Sequence, residues 1–149
     1  MIDFTCKETP YYDLCRTTLL SYGNWSPVMD VCSLADVIVG SALAEGSDAL
    51  SLVEVVENQM ADPGIERPLD YCAELHILVV KYIIPQAIQA LNVSKHGFAS
   101  YCLSDAGDQA DACTKALSGT KGSPVTDHNK TVRELCDVAD AIIKLFQKG

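Results

Sequence analysis

The chain has 149 residues, a formal net charge of −9 and 48% apolar residues, which suits one globular domain built on a single apolar core. With 11 Lys and Arg against 20 Asp and Glu, it lacks the basic footprint that binding nucleic acid requires. No run of 18 uninterrupted apolar residues occurs, so no membrane span is expected.

Seven cysteines in so short a chain point to an oxidising compartment, because disulfides survive there and restrict the unfolded chain. Asn24, Asn92 and Asn129 each open an Asn-x-Ser/Thr triplet, which makes them glycosylation candidates and supports secretion. Met1 and Ile2 run almost directly into Cys6, the pattern expected of a mature chain restarted without its leader.

The first element is a short hairpin, with Cys6 and Cys15 close enough in sequence to pair locally. It occupies residues 1–25, ahead of a bundle over 26–149. The first bundle helix is expected from about Pro27 to Met60, where Val31, Ala35, Ile38, Ala42, Ala49, Leu52 and Val56 recur at three-and-four spacing. Ser26-Pro27 supplies its start and Asp62-Pro63-Gly64 its stop. The second spans about Arg67 to Leu91. Its Ile77–Ile84 run is β-branched and apolar nearly all round, so a buried strand competes locally. The continuation of the pattern through Ala87, Ile88 and Leu91 favours helix, with Pro85 expected to kink it. The third runs from about Phe98 to Leu117, with Asp105, Asp108 and Asp111 on one face. The fourth runs from Ser123-Pro124 to about Gln147, with Val132, Leu135, Ala139, Ile142 and Phe146 inward. Four amphipathic helices on short connections predict an all-α fold, an up-down-up-down four-helix bundle behind the hairpin.

Alternating helix direction places Cys72, near the start of helix 2, at the same end as Cys113, near the end of helix 3. That predicts a Cys72–Cys113 disulfide, worth roughly 4 kcal/mol in the chain-entropy model. Cys32 and Cys102 match in height but sit on diagonal helices, which opposes a third bond without closing the alternative. Cys136 falls on an inward stripe and reads as a free core thiol.

No His-Glu-x-x-His, paired Cys-x-x-Cys or Gly-rich phosphate loop is present. His76 reads as a core or interface histidine, and the Asp105–Asp111 series as a solvated face or one that meets basic residues on a partner. The expectation is therefore a non-enzyme with no metal and no cofactor.

Several of these residues together resemble the plant invertase and pectin methylesterase inhibitor family. Cys6-x8-Cys15 with Thr9-Pro10 inside is similar to its N-terminal hairpin, and Pro85-Gln-Ala-Ile-Gln-Ala-Leu91 to the end of its second bundle helix. Gly107-Asp108 through Cys113, Ser123-Pro124, and Glu134 through Ile142 are similar to its third and fourth helices. The resemblance implies a secreted inhibitor of the apoplast, with the vacuole as an alternative, that forms a 1:1 complex with an acid invertase or a pectin methylesterase. A pollen-allergen-like subgroup shares the pattern. The invertase branch carries Pro-Lys-Phe at the start of the third helix. Here the aligned residues are His96-Gly97-Phe98, preceded by Lys95. The resemblance therefore implies Lys95, His96, Gly97 and Phe98 as target-binding residues, and Phe98 as the anchor. The leading expectation is inhibition of an acid invertase. Two others stay open: pectin methylesterase inhibition through a broad helix face, which the net charge of −9 supports, and a secreted bundle that holds a small apolar ligand or has no inhibitory activity.

Overall fold

The computed structural model describes residues 1–23, 25, 30–59, 63–118 and 124–147. Asn24, the Ser26-Pro27 start, Asp62 of the expected stop and Ser123 lie outside them. Seven α-helices and one π-helical turn occupy the described residues: α1 (Ile2–Lys7), α2 (Tyr12–Tyr22), α3 (Val31–Gln59), α4 (Pro63–Leu78), the π turn (Val79–Ile83), α5 (Ile84–Asn92), α6 (His96–Ala116) and α7 (Pro124–Gln147).

The hairpin of α1 and α2 is closed by the Cys6–Cys15 disulfide, whose Cα atoms lie 5.5 Å apart. Thr9 Oγ1 donates to the Cys6 carbonyl at 2.7 Å inside the turn, and Arg16 reaches back to Asp3 at 2.8 Å. After α2, Gly23 takes a left-handed φ of +70° to end the helix. The Trp25 indole N–H then donates to the Leu19 carbonyl at 2.9 Å and ties the departing chain to α2.

The α4–π–α5 segment is one continuous helical rod, and no strand forms at 77–84. Pro85 lacks the N–H that an α-helix needs and crowds the preceding turn. The rod absorbs this by widening one turn: the Ile84 N–H bonds the Val79 carbonyl five residues back. From Glu66 to Asn92 the rod is long and apolar enough to cross a membrane by length and composition. Its inward residues, among them Leu69, Leu75, Val79, Ile84 and Ala87, are nevertheless bundle core, while Ile77, Leu78 and Tyr82 face outward. The apolar run is thus divided between core and surface.

α3 packs on α7 and α4, and α6 packs on α7, α4 and α5. That leaves α3 and α6 as one diagonal pair, and α4 and α7 as the other. Cys72 and Cys113 are joined across the adjacent α4–α6 pair, with Cα atoms 4.9 Å apart. Cys32 on α3 and Cys102 on α6 lie on diagonal helices and are free, as is Cys136. Burial pushes the Cys136 thiol up to about 12, so it stays an inert core group.

The core is divided. A large apolar cluster built on Leu19, Leu34, Ile38, Leu103, Leu135 and Ile142 fills the hairpin end. A small one built on Val53, Leu69, Cys72, Leu75, Cys113 and Val125 fills the other. Between them lies a polar layer to which all four bundle helices contribute. His76 of α4 and Asn129 of α7 are fully buried across the bundle diagonal. Asn129 Nδ2 donates to Thr114 Oγ1 of α6 at 3.1 Å, and His128 Nδ1 meets Glu45 Oε2 of α3 at 2.8 Å.

This layer corrects the reading of Asn129 as a glycan acceptor. Its side chain is core, and the nitrogen a glycan would occupy is engaged with Thr114. A sugar there is incompatible with this packing. Asn92, the last residue of α5, is exposed.

Candidate functional site

The rod ends in a tight turn that throws the chain into α6. The Lys95 N–H bonds the Ala90 carbonyl at 2.8 Å and the Ser94 N–H bonds Leu91 at 3.2 Å, the paired bonds of a Schellman stop. The residue at its left-handed position is ordinarily Gly. Here it is Ser94, with φ +59°, and a non-glycine side chain there costs about 1 kcal/mol. The turn thus stores a small strain where the tongue, Lys95 and the first residues of α6 through Phe98, begins.

The structure divides the four expected contact residues. Lys95 and Gly97 are exposed, a Cβ on Gly97 would meet nothing within 4 Å, and Phe98 is 49% exposed. His96 differs. Its ring packs edge-on against Phe146 of α7 with centroids 4.7 Å apart, and it is half-buried. It acts as the tether that holds the tongue on the bundle, while Lys95, Gly97 and Phe98 are presented to solvent.

Two neighbours missing from the sequence reading complete the site. Tyr101, one turn on, stacks with Phe98 at 6.3 Å with planes 18° apart, making a preformed aromatic pair. A groove of about 290 Å³ runs beside it, lined by Gln86, Gln89, Ala90, Val93, Lys95 and Phe98. The i,i+3 spacing of Phe98 and Tyr101 was the legible signal.

Electrostatics favour an anionic counterpart. α6 has no side-chain cap at Lys95, so its first N–H groups and the positive end of its dipole face outward beside the Lys95 ammonium. The opposite character appears further along α6. There Arg133 of α7 bridges Asp108 at 2.7 Å, Asp111 at 3.4 Å and Asp137 at 3.4 Å, a cluster with more negative than positive charge. Gly107 permits it, since a Cβ there would stand 2.7 Å from Arg133 Cδ. Among the described residues no group of three or more His, Cys, Asp or Glu could hold a metal ion.

A second, larger trough of about 680 Å³ separates α2 from α3 and α7, lined by Thr17, Tyr22, Asp36, Gly40, Ser41 and Glu45 among others. None of the buried polar atoms without a partner belongs to its lining.

The histidines are all occupied structurally: His76 in the core, His96 on Phe146 and His128 on Glu45. The sequence model described as "Plant invertase/pectin methylesterase inhibitor" matches residues 1–142, and the chain belongs to that family. It is an inhibitor, not an enzyme.

The relatives fall on both sides of the family. The chain is 29% identical over 142 residues to cell wall / vacuolar inhibitor of fructosidase 1 of Arabidopsis thaliana, covering 95% of this chain and 67% of that protein. A mutant form of a pectin methylesterase inhibitor from Arabidopsis superposes with a TM-score of 0.81 at 20% identity, covering 94% of this chain and 93% of the other. A pectin methylesterase inhibitor from Arabidopsis thaliana gives 0.75 at 18% identity, covering 97% and 94%. At those identities the structural likeness speaks for the fold alone.

Proposed function

We propose that the protein inhibits an acid invertase, a β-fructofuranosidase, by placing Lys95, Gly97 and Phe98 in its active-site cleft as a 1:1 complex. The observation that carries this reading is the exposed Phe98 at the uncapped, positive end of α6 beside Lys95. A glycosidase cleft is lined by a pair of catalytic carboxylates. An ammonium and a helix N-terminus complement them, and a half-exposed aromatic ring supplies the desolvated anchor typical of interface hot spots. The similarity to an inhibitor of fructosidase supports the same target, and its name supports a cell-wall or vacuolar location. Titrating the oxidised protein against an acid invertase and, separately, a pectin methylesterase between pH 4 and 7 tests the assignment. Phe98→Ala is expected to raise the inhibition constant for invertase by at least tenfold. Unchanged inhibition by that variant removes the tongue from the mechanism.

The Arg133 cluster favours a second reading, inhibition of pectin methylesterase. Asp108 and Asp111 are exposed, and they would meet a basic enzyme surface. Complex formation would then weaken steeply from low to high salt. A flat salt response rejects that reading.

A further inference from the structure

The tongue is too small to hold a complex alone. A stable interface buries about 800 Å² on each partner and engages roughly 20–30 residues a side. Four tongue residues, one of them turned into the bundle, supply a fraction of that. The remaining contact surface must adjoin the tongue, and charge distinguishes the two faces that do.

Residues 75–104 contain no Asp or Glu, although the chain holds twenty. The Lys and Arg residues in that stretch are Lys81 and Lys95, both exposed. The same stretch contains six of the twelve strongly exposed large apolar residues among the described residues. They are Ile77, Leu78, Tyr82, Val93, Phe98 and Tyr101. Apolar side chains of this size left in water, contiguous with a binding element, mark an interaction surface. The other adjoining face, along α6 and α7, carries Asp108, Asp111 and Asp137. A carboxylate-lined cleft repels that face and accepts the acid-free one.

We infer that the docking surface extends from the tongue along the outer face of the α4–α5 rod. Tyr82 and Lys81 form its far contacts, and Tyr101 is the second aromatic anchor beside Phe98. Its partner presents a carboxylate-bearing rim interleaved with apolar ground around the cleft. The inference rests on the reading that the tongue enters a glycosidase cleft.

Helical spacing supports the continuity. Tyr82, Gln86, Gln89 and Val93 stand at i, i+4, i+7 and i+11, one stripe of the rod. The last three line the groove that ends at Lys95 and Phe98. The surface therefore offers an aromatic ring at each end, two neutral amides between them, and a lysine near each aromatic. Amide side chains can donate to carboxylates and accept from hydroxyls, so they suit a rim of mixed polarity. Because Ala87, Ala90, Ala99 and Leu103 anchor α5 and the start of α6 in the large core, this face is largely preorganised and loses little freedom on binding.

The experiment compares four single variants and one control for inhibition of an acid invertase, at low and high salt. Tyr82→Ala and Tyr101→Ala are each expected to raise the inhibition constant about tenfold. Both side chains are more than half exposed, 58% and 68%, so the fold survives their loss. Lys81→Glu is expected to slow association several-fold at low salt, with the deficit shrinking as salt is raised. Asp127→Asn, an exposed carboxylate in the first turn of α7 at the far end from the tongue, is the control and should leave inhibition unchanged. Loss with Phe98→Ala but parental behaviour of Tyr82→Ala, Tyr101→Ala and Lys81→Glu overturns the extended surface and leaves the tongue assignment standing. Loss with Tyr82→Ala, Tyr101→Ala and Lys81→Glu but not with Phe98→Ala supports the rod face and removes the tongue assignment instead.

Discussion

The two ends of the bundle are built on opposite principles. At the disulfide end a small core is stapled by Cys72–Cys113 and covered by carboxylates. Glu54, Glu66 and Asp70 all act on Glu57 and, with burial as the leading cause, push its carboxyl upward. At the tongue end the large core continues to the last turns of α5 and the first of α6, and the surface carries no carboxylate from residue 75 to 104. The disulfide end spends its sequence on holding together. The tongue end, where the large core includes the Cys6–Cys15 bond of the hairpin, leaves aromatic rings and a strained serine in water. With the tongue docked as proposed, stability and recognition are separated along one helical rod, with the polar layer of His76 and Asn129 between them.

The largest effect expected from breaking this contrast comes from Cys72→Ser with Cys113→Ser. A bond that closes 41 residues of sequence separation stabilises by about 4 kcal/mol in the chain-entropy model. Its loss should lower the melting temperature sharply. Amide hydrogen exchange should accelerate in the first half of α4 and the last turns of α6, while residues 84–104 stay protected. Uniform acceleration over the whole chain would show that the two ends fold as one unit and that the polar layer does not divide them.

The polar layer makes stability depend on pH, and the sign follows from His76. Its ring nitrogens and Asn129 Oδ1 are buried without a partner at hydrogen-bonding geometry. Burial lowers the His76 affinity for a proton below the ordinary value of 6.5, His128 adds to this, and the Asn129 amide opposes it. The unfolded chain therefore binds the proton first on acidification. Stability from the neutral buried ring is fully present above about 6.5. It is lost as pH falls towards the lower folded value, by at most about 1.4 kcal/mol per pH unit. Asp36, Asp137 and Glu57 have raised carboxyl values and act with the opposite sign in the acidic carboxylate range. Denaturant titrations between pH 7 and 5 should show parental stability falling relative to His76→Gln. Parallel curves for the two proteins would remove His76 as the source.

The fold was legible wherever one helix carries its own signal. The inward stripe of α7 and the alternation that pairs Cys72 with Cys113 both lie in local spacing, whereas Pro63-Gly64, expected to stop a helix ahead of a start near Arg67, open α4 instead. The polar layer was not, because His76 and Asn129 are 53 positions apart in the numbering, on diagonal helices, and meet only in three dimensions. Asn129 looked like a surface sequon because its triplet is local and its burial is not. The same limit applies to His96: its partner Phe146 is contributed by the far end of α7. By contrast, the absence of acid from 75 to 104 was visible in the sequence. It is a missing residue type, which motif reading does not register. Residues 77–84 were ambiguous because outward Ile77, Leu78 and Tyr82 are as apolar as their inward neighbours, for reasons of surface and not of core.

The smallest effect concerns the strain at the tongue. Ser94 occupies a left-handed backbone position with φ +59°, which a glycine would hold without the Cβ penalty of about 1 kcal/mol. Glycine also gives the unfolded chain more freedom, which returns most of that gain. Ser94→Gly, in protein made without glycosylation, should therefore raise stability by only a few tenths of a kcal/mol in a denaturant melt. Ser94→Val should lower it by about 1 kcal/mol, because a β-branched side chain suits this region least. The contrast between the ends adds a finer expectation. Neither substitution touches the disulfide end, so exchange in α4 near Cys72 should match the parent in both variants. Only the protection of 90–98 should move, and in opposite directions for Gly and Val. Destabilisation by Ser94→Gly would mean that the hydroxyl, and not the backbone, shapes this turn.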